Sequence, residues 1–260
     1  MYATLEIERR ARVATIWMNR PEVHNAFDET LIAELADACR ELDKDNGIRV
    51  VILGGRGRNF SAGADLNWMQ RAAANSEEQN LRDARVFAAM LRALAEMGKP
   101  TIARVQGAAL GGGTGLTAAC DIAVAAADAG FATSEVKFGI IPAVISPYVL
   151  RAIGARQALR YFQSAERIGA AKALEIGLVH EVVAAAELDA RIAEIAAALL
   201  AAGPLAIAAA KELIRAVAGR PLDAALSEET ARRIARQRAG DEAREGIAAF
   251  LEKRPPRWLA

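Results

Sequence analysis

The sequence has 260 residues, enough for one large domain or two smaller ones with a sizeable buried core. Apolar residues make up 53% and charged residues 25%, a composition that excludes a disordered chain. The 33 lysines and arginines are balanced by 32 aspartates and glutamates. The net charge of +1 therefore offers no basic excess for nucleic acid or for an acidic membrane surface.

The cysteines and histidines are too few for a disulfide framework or a metal site. Cys39 and Cys120 lie in apolar patterns of helical spacing, which predicts buried thiols in a reducing cytoplasm. The two histidines, His24 and His180, belong to no cluster with zinc spacing. The N-terminal residues lack the pattern of a signal peptide, and the long uncharged runs are broken by glycine or Gly-Pro. We expect a cytoplasmic protein without a metal.

The first predicted elements alternate between strand and helix. Residues 13–17 have the apolar content of a strand. Residues 31–42 carry apolar side chains at helical spacing after Asp28, which is a suitable N-cap. Residues 49–53 form a continuous apolar run that is typical of a parallel strand buried on both faces. Residues 54–65 are rich in glycine and are predicted to form a loop.

The remaining elements predict the fold class. A helix is expected over 76–97, strands over 101–105, 122–125 and 131–132, and a glycine-rich turn over 107–115 that opens a helix ending near Cys120. Helical patterns then cover residues 186–201, 204–217, 222–238 and 241–252. This order predicts an α/β fold, with a core over residues 1–200 and a helical C-terminal subdomain over residues 201–260.

Two glycine-rich turns, residues 61–65 and 107–113, each follow an apolar strand. Glycine adopts positive φ and lets a ligand approach the backbone. The second turn opens a helix, whose first N–H groups have no internal partner and attract negative charge. Two such N–H groups converging on one point would form an oxyanion hole. Neither turn has the spacing of a P-loop or of a dinucleotide-binding loop, and tight turns with close helix packing remain the structural alternative.

The motifs with the most specific spacing are NRP at 19–21 with NA at 25–26, FSAGADL at 60–66, VQGAALGGG at 105–113 and CDI at 120–122. In order and spacing they resemble the enoyl-CoA hydratase/isomerase, or crotonase, superfamily across nearly the whole chain. The segments EVKFGIIP at 135–142 and 243–254 match as well. A finer similarity, over 64–69, 115–121 and 141–148, is to the bacterial methylglutaconyl-CoA hydratase-like branch.

The resemblance implies a spiral of ββα turns with helical C-terminal packing, assembled as homotrimers or dimers of trimers. It implies an acyl-CoA substrate, with coenzyme A as part of the substrate, no separate cofactor, and no nucleic-acid or membrane partner. The thioester oxygen would lie between the N–H groups of Ala62 and Gly112, and Glu135 would be the catalytic acid/base. The other positions expected at the substrate are Asn25, Ala26, Gly63, Ala64, Asp65, Leu66, Gly111, Gly115, Ala143, Phe250 and Lys253.

The main departure from the family pattern is at Gly115. Hydratases of this family commonly have a glutamate there, which pairs with the one at Glu135. Glycine is expected to leave room in the acyl pocket and to remove a charge that would repel a carboxylate on the substrate. Arg71 is the candidate cation for such a carboxylate. By family position, the Ala143 N–H would help to seat the water, and the Phe250 and Lys253 side chains would reach the coenzyme A of a neighbouring subunit.

Three functions stay open. The first is hydration of a 2-enoyl-CoA, branched or carboxylated, with Glu135 as acid/base. The second is Δ3–Δ2 isomerisation of an enoyl-CoA, which moves one proton and can run on Glu135 alone. The third is a non-catalytic protein of this fold that binds RNA or a protein partner, against which the balanced charge argues. Glu77, Glu78, His24 and His180 are not selected as substitutes for the missing glutamate.

Overall fold

The computed structural model describes residues 2–259. Its strands are β1 (Leu5–Arg10), β2 (Val13–Met18), β3 (Val50–Gly55), β4 (Thr101–Val105), β5 (Ala108–Leu110), β6 (Ile122–Ala126), β7 (Gly130–Ala132), β8 (Ile168–Gly169) and β9 (Glu181–Val183). Its α-helices are α1 (Glu29–Lys44), α2 (Leu66–Ala73), α3 (Glu77–Ala95), α4 (Gly112–Ala119), α5 (Ser146–Ser164), α6 (Ala170–Glu175), α7 (Leu188–Ala201), α8 (Pro204–Val217), α9 (Ala224–Ala239) and α10 (Asp241–Leu251). Short 3-10 helices cover Pro21–Val23, Glu135–Phe138, Ala185–Glu187 and Arg257–Leu259.

The strands form two sheets. The larger has the order β1-β2-β3-β4-β6-β9 and is parallel apart from the β1–β2 pair, and the smaller has the order β5-β7-β8. Strand β3 is buried along its whole length, as a parallel strand covered on both faces requires. After β4 the chain turns at Gly107 into β5, and after β6 it turns into β7. Successive strand pairs therefore step from one sheet to the other, and the predicted α/β spiral with helical C-terminal packing is confirmed.

Helix α1 shows how the apolar pattern becomes packing. Leu31, Leu35, Cys39 and Leu42 recur every three or four residues, and each is at most 1% exposed. The Asp28 carboxylate accepts a hydrogen bond from the Leu31 N–H at 2.8 Å, as an N-cap does. The helix thereby lies with its apolar stripe against the main core.

The structure differs from the predicted elements in several places, and strands β8 and β9 and helix α6 also lie where no element was predicted. Strand β1 was not expected, because it lies at the sheet edge and only one of its six residues is buried. The helix predicted over residues 76–97 is preceded by a separate helix, α2, and the Ser76 capping box marks where α3 begins. Helix α5 lies where no element was predicted, and Gly154, with φ +71°, interrupts its helical geometry.

The buried apolar side chains form a large cluster and a smaller one that includes Val50, Ile102, Val124, Leu188 and Ile192. Helices α8, α9 and α10 bury few side chains, and the predicted boundary between residues 200 and 201 stays a prediction. Within residues 2–259 no single helix is long and apolar enough to cross a bilayer. The pair Ala185–Ala201 and Pro204–Val217 meets that criterion only together, and it is bent by 103°.

Candidate active site

The first glycine loop, residues 60–65, lies along residues 24–27 and is hydrogen-bonded to them. The Ala62 N–H, which was predicted to bind the substrate carbonyl, donates instead to the His24 carbonyl oxygen at 2.9 Å. Because this N–H is already paired within the chain, it has no hydrogen left for an oxyanion. The assignment of Ala62 as an oxyanion donor is wrong.

The N–H that is free in this loop belongs to Ala64. The Gly63 carbonyl accepts a hydrogen bond from the Phe27 N–H at 2.7 Å, and the Asp65 N–H donates back to the Phe27 carbonyl at 2.8 Å. In a trans peptide the C=O and the following N–H point in opposite directions. The Ala64 N–H therefore points away from Phe27, and no residue among 2–259 accepts it. Gly63 makes this possible because its φ is +92°, a region that side chains disfavour.

The second free N–H is that of Gly112, the first residue of α4, where a helix offers no internal acceptor. The Gly111 carbonyl accepts the Gly115 N–H at 3.1 Å, so the Gly112 N–H in the same peptide points out of the helix end. A Cβ at Gly112 would lie 2.7 Å from the Phe27 ring and 3.0 Å from the Phe87 ring, and only glycine fits there. This geometry fits the donor role predicted for Gly112.

The two glycine turns touch each other. A Cβ built on Gly63 would lie 3.0 Å from the Leu110 carbonyl oxygen and 3.9 Å from the Gly111 Cα. Ala64 and Gly112 each follow one of these contacting glycines directly. Their free N–H groups thus lie on adjoining turns and are placed to bind one oxygen atom between them.

Glu135 is carried to the same place by the smaller sheet. Ala132, the last residue of β7, accepts a hydrogen bond from the Gly111 N–H at 2.8 Å, and Glu135 begins the 3-10 helix just beyond it. The Glu135 Oε1 atom is 3.4 Å from the position that a Cβ on Gly111 would occupy. The carboxyl group therefore lies beside the turn that carries the Gly112 donor.

The electrostatic setting of Glu135 suits proton transfer. Its Oε2 atom is buried and has no hydrogen-bond partner among the described residues. Desolvation by burial raises the pKa of Glu135 above its ordinary value, and a backbone hydrogen bond opposes this only in part. A carboxyl group with a raised pKa and a free oxygen is suited both to take and to return a proton.

Gly115 does not open into a pocket. A Cβ at Gly115 would lie 2.8 Å from the Cβ of Ile145, whose side chain is 2% exposed and covers this turn of α4. The expectation that Gly115 leaves room in the acyl pocket is wrong, because Ile145 fills the space. The Arg71 guanidinium, the candidate cation for a substrate carboxylate, binds both oxygens of Glu29, at 2.8 and 2.9 Å.

The polar residues of the segment before α1 hold the loop rather than face a ligand. Asn25 is fully buried, and its Nδ2 donates to the Arg56 and Asn59 carbonyls, each at 2.9 Å. Its Oδ1 accepts the Arg20 N–H at 2.9 Å. The Ala26 carbonyl accepts the Arg20 guanidinium at 2.6 Å. The side chain of Asn25 is therefore structural.

The residues that follow the first loop begin α2. The Asp65 carboxylate caps this helix, since it accepts the Asn67 N–H at 2.9 Å and the Trp68 N–H at 3.3 Å. The side chain of Leu66 is 79% exposed. Sequence reasoning missed Phe27, Phe87 and Ile145, which line the glycines of α4, because these contacts join residues far apart in the chain.

Three predicted substrate positions lie outside the two glycine turns. The Ala143 N–H donates to the Ile141 carbonyl at 2.8 Å, so the prediction that this N–H seats the water is wrong. Phe250 and Lys253 lie at the end of α10, which packs against α8 and α9. Phe250 is 83% exposed, and its predicted contact with a neighbouring subunit's ligand stays a prediction.

Two free backbone N–H groups on adjoining turns and a desolvated carboxyl group beside them can together stabilise negative charge on a carbonyl oxygen and transfer a proton nearby. The chain belongs to the enoyl-CoA hydratase/isomerase family, whose model matches residues 8–260. It is similar to the crotonyl-CoA hydratase of Syntrophomonas wolfei, with 34% identity over 100% of this chain and 99% of that protein. The solved structure of an enoyl-CoA hydratase from Shewanella pealeana is 43% identical, covers 99% of this chain and 97% of that one, and has a TM-score of 0.97.

Proposed function

We propose that this enzyme hydrates a 2-enoyl-CoA thioester. The observation that carries the proposal is the unpaired Oε2 atom of Glu135 beside the turns that carry the free N–H groups of Ala64 and Gly112. The thioester oxygen binds both N–H groups. Glu135 takes a proton from water, the water oxygen bonds to Cβ, and the Cα=Cβ electron pair moves to the thioester oxygen as an enolate. When the carbonyl re-forms, Glu135 returns the proton to Cα.

The names of the relatives support this reaction. Several are called enoyl-CoA hydratases, and one is called a crotonyl-CoA hydratase. Coenzyme A then arrives as part of the substrate, and the chemistry assigned to Glu135 needs no separate cofactor. The two backbone N–H donors would lower the activation barrier of this reaction, because losing one oxyanion donor typically raises such a barrier by about 2.7–4 kcal/mol.

A branched or carboxylated acyl group of the methylglutaconyl type is the finer part of the proposal. Its support is the similarity of residues 64–69 and 115–121 to that branch of the family. Charge exclusion at Gly115 no longer supports it, because Ile145 covers that position. The preference therefore depends on the acyl pocket as a whole and has to be measured.

Isomerisation of a 3-enoyl-CoA is the second candidate, and the contact between Gly115 and Ile145 favours it. Because the Ile145 side chain occupies the space in which a carboxylate at position 115 would begin, Glu135 alone must transfer every proton. Glu135 would remove a proton from Cα to give a dienolate held by the two N–H groups, and would return that proton to Cγ. This reaction needs no water and no second carboxylate.

A trimer, or a dimer of trimers, is the assembly we propose. Its support is the set of large apolar side chains left exposed on α8 to α10 and the connection between α8 and α9: Leu205, Ile214, Leu222, Ile234, Ile247, Phe250 and Leu251. Exposed apolar surface of this extent is typical of a contact between protein chains. Sedimentation analysis of the purified protein measures the stoichiometry.

Substrate turnover tests the function directly. The purified enzyme is incubated with crotonyl-CoA, methylglutaconyl-CoA and a 3-enoyl-CoA, and products are identified by mass and by absorbance of the conjugated thioester. Loss of conjugation with gain of one water supports hydration, whereas gain of conjugation from the 3-enoyl-CoA without a mass change supports isomerisation. No change with any of the three, in a protein shown to be folded, contradicts both enzymatic proposals.

A further inference from the structure

Arg20 binds the carboxylate of Asp65, the residue that follows the Ala64 donor, and joins it to a second carboxylate. Its Nη2 atom is 3.0 Å from the Asp28 Oδ2 and 3.2 Å from the Asp65 Oδ2. Its Nη1 atom donates to the Ala26 carbonyl at 2.6 Å. Because both carboxylates bind the same nitrogen, they are close neighbours.

This ion cluster is shielded from solvent. The Arg20 side chain is 17% exposed, that of Asp28 is 21% exposed and that of Asp65 is 9% exposed. Charges in such a setting are screened less by salt and water than charges on the open surface. Desolvation alone would raise the pKa of Asp65, but the Trp68 and Asn67 N–H groups and the Arg20 charge lower it, so this residue is ionised at neutral pH.

The position of the ion cluster affects the reaction because the negatively charged enolate oxygen would form next to it. Asp65 is bonded through its own backbone to Ala64, whose N–H would bind the enolate oxygen. A negative Asp65 and a negative Asp28 would both oppose a developing negative charge at that point. Arg20 offsets these charges, while Asp28 and Asp65 keep their roles as caps of α1 and α2.

We propose that Arg20 is a positioning and charge-balancing residue of the oxyanion hole, which allows two helix-capping aspartates to lie near the Ala64 donor without repelling the enolate. The proposal depends on the proposed function, in that it assumes an enolate at the Ala64 and Gly112 N–H groups. It assigns to Arg20 no contact with the substrate. Its effect is on the stability of charge at the thioester oxygen.

Acetoacetyl-CoA is a suitable probe, because it forms an enolate whose ultraviolet absorbance reports how much of the bound ligand is ionised. In Arg20→Gln, we expect the pH at which half of the bound acetoacetyl-CoA is enolate to rise by about one unit, a tenfold loss of enolate stabilisation. In Asp65→Asn, whose amide oxygen still caps α2, we expect this pH to fall. The double variant Arg20→Gln/Asp65→Asn should return most of the way to wild type.

The opposite signs separate charge balance from a purely structural role. If the substitutions only loosened the loop, the pH of the enolate transition would shift in the same direction in Arg20→Gln and in Asp65→Asn. The double variant would then show the largest shift of the three. Arg40→Gln is the matched control, because it removes one positive charge from an exposed ion pair on α1, about three turns beyond the Asp28 cap, whereas the Arg71 charge acts on Asp65 and Asp28 themselves. We expect Arg40→Gln to shift the enolate transition by less than a third of the Arg20→Gln shift.

Turnover of the enoyl-CoA substrate supplies the second readout. Arg20→Gln should lower kcat about tenfold with little change in KM, since the charge develops only in the transition state. Shifts in the same direction in the two single variants, or a transition in Arg20→Gln that matches wild type, would overturn the proposal. If wild type binds acetoacetyl-CoA as the enolate but turns over no enoyl-CoA, the proposed function fails while the role of Arg20 is still measured.

Discussion

The peptide directions in the first glycine loop predict that Ala64, and not Ala62, supplies the oxyanion donor. The sharpest perturbation replaces one backbone amide by an ester through incorporation of lactic acid, which removes a single N–H and leaves the side chain unchanged. At Ala64 this change removes an N–H that no other described residue accepts. The barrier should rise by about 2.7–4 kcal/mol, a loss of about 10²–10³ in kcat. The free energy of unfolding should fall by less than about 1 kcal/mol, because the Gly63 carbonyl, now part of an ester, is a weaker acceptor for the Phe27 N–H.

At Ala62 the same change removes the 2.9 Å hydrogen bond to His24. It should lower the free energy of unfolding by about 0.5–1.5 kcal/mol and leave kcat within a few fold of wild type. The assay is turnover at saturating enoyl-CoA, with thermal unfolding of each ester variant measured in parallel. A large loss of kcat at Ala62 together with normal kcat at Ala64 would refute the assignment drawn from the peptide geometry.

Three further results are expected. Glu135→Gln should lose about 10²-fold or more in kcat while acyl-CoA binding persists. The control is Glu212→Gln, which changes an exposed glutamate on α8. Near-normal turnover by Glu135→Gln would contradict the role of Glu135 as acid/base. Because burial raises the pKa of Glu135, the contribution of this residue to stability is largest below the ordinary glutamate pKa and is lost as pH rises through the raised value. Glu135→Gln should therefore unfold at a higher temperature than wild type near about pH 8 but not near about pH 4, and kcat of wild type should rise over the same range. Gly115→Glu should destabilise the fold by about 1–3 kcal/mol, and Ile145→Ala in the same chain should restore part of this by making room; an unchanged melting temperature in Gly115→Glu would contradict the contact.

The strands and helices with clear periodicity could be predicted from the sequence. The buried run of β3, the apolar stripe of α1 and its Asp28 cap depend on neighbours within one element, so local patterns were sufficient. Strand β1 escaped prediction because its pairing with β2, and not its own apolar content, makes it a strand. Helix α5 escaped because Gly154 interrupts its pattern.

The site was predicted only in part, for a similar reason. Glu135 and the two glycine turns are visible as motifs, but the direction of an N–H depends on which carbonyl its neighbour engages. The bond between Gly63 and Phe27 joins residues 36 positions apart, and no spacing within the loop predicts it. The contact of Ile145 with Gly115 also joins residues that are far apart in the chain. The sequence therefore could not show that the Ile145 side chain occupies the space beside Gly115.

The contact between Gly115 and Ile145 also limits how this chain could acquire a second carboxylate through single substitutions. A glutamate introduced first at Gly115 meets Ile145 and lowers stability, whereas a smaller residue introduced first at Ile145 leaves a void beside α4. Either intermediate has to survive before the second change can help. The two positions are thus coupled in their effects on stability, and a second carboxylate at position 115 requires a compensating change at position 145.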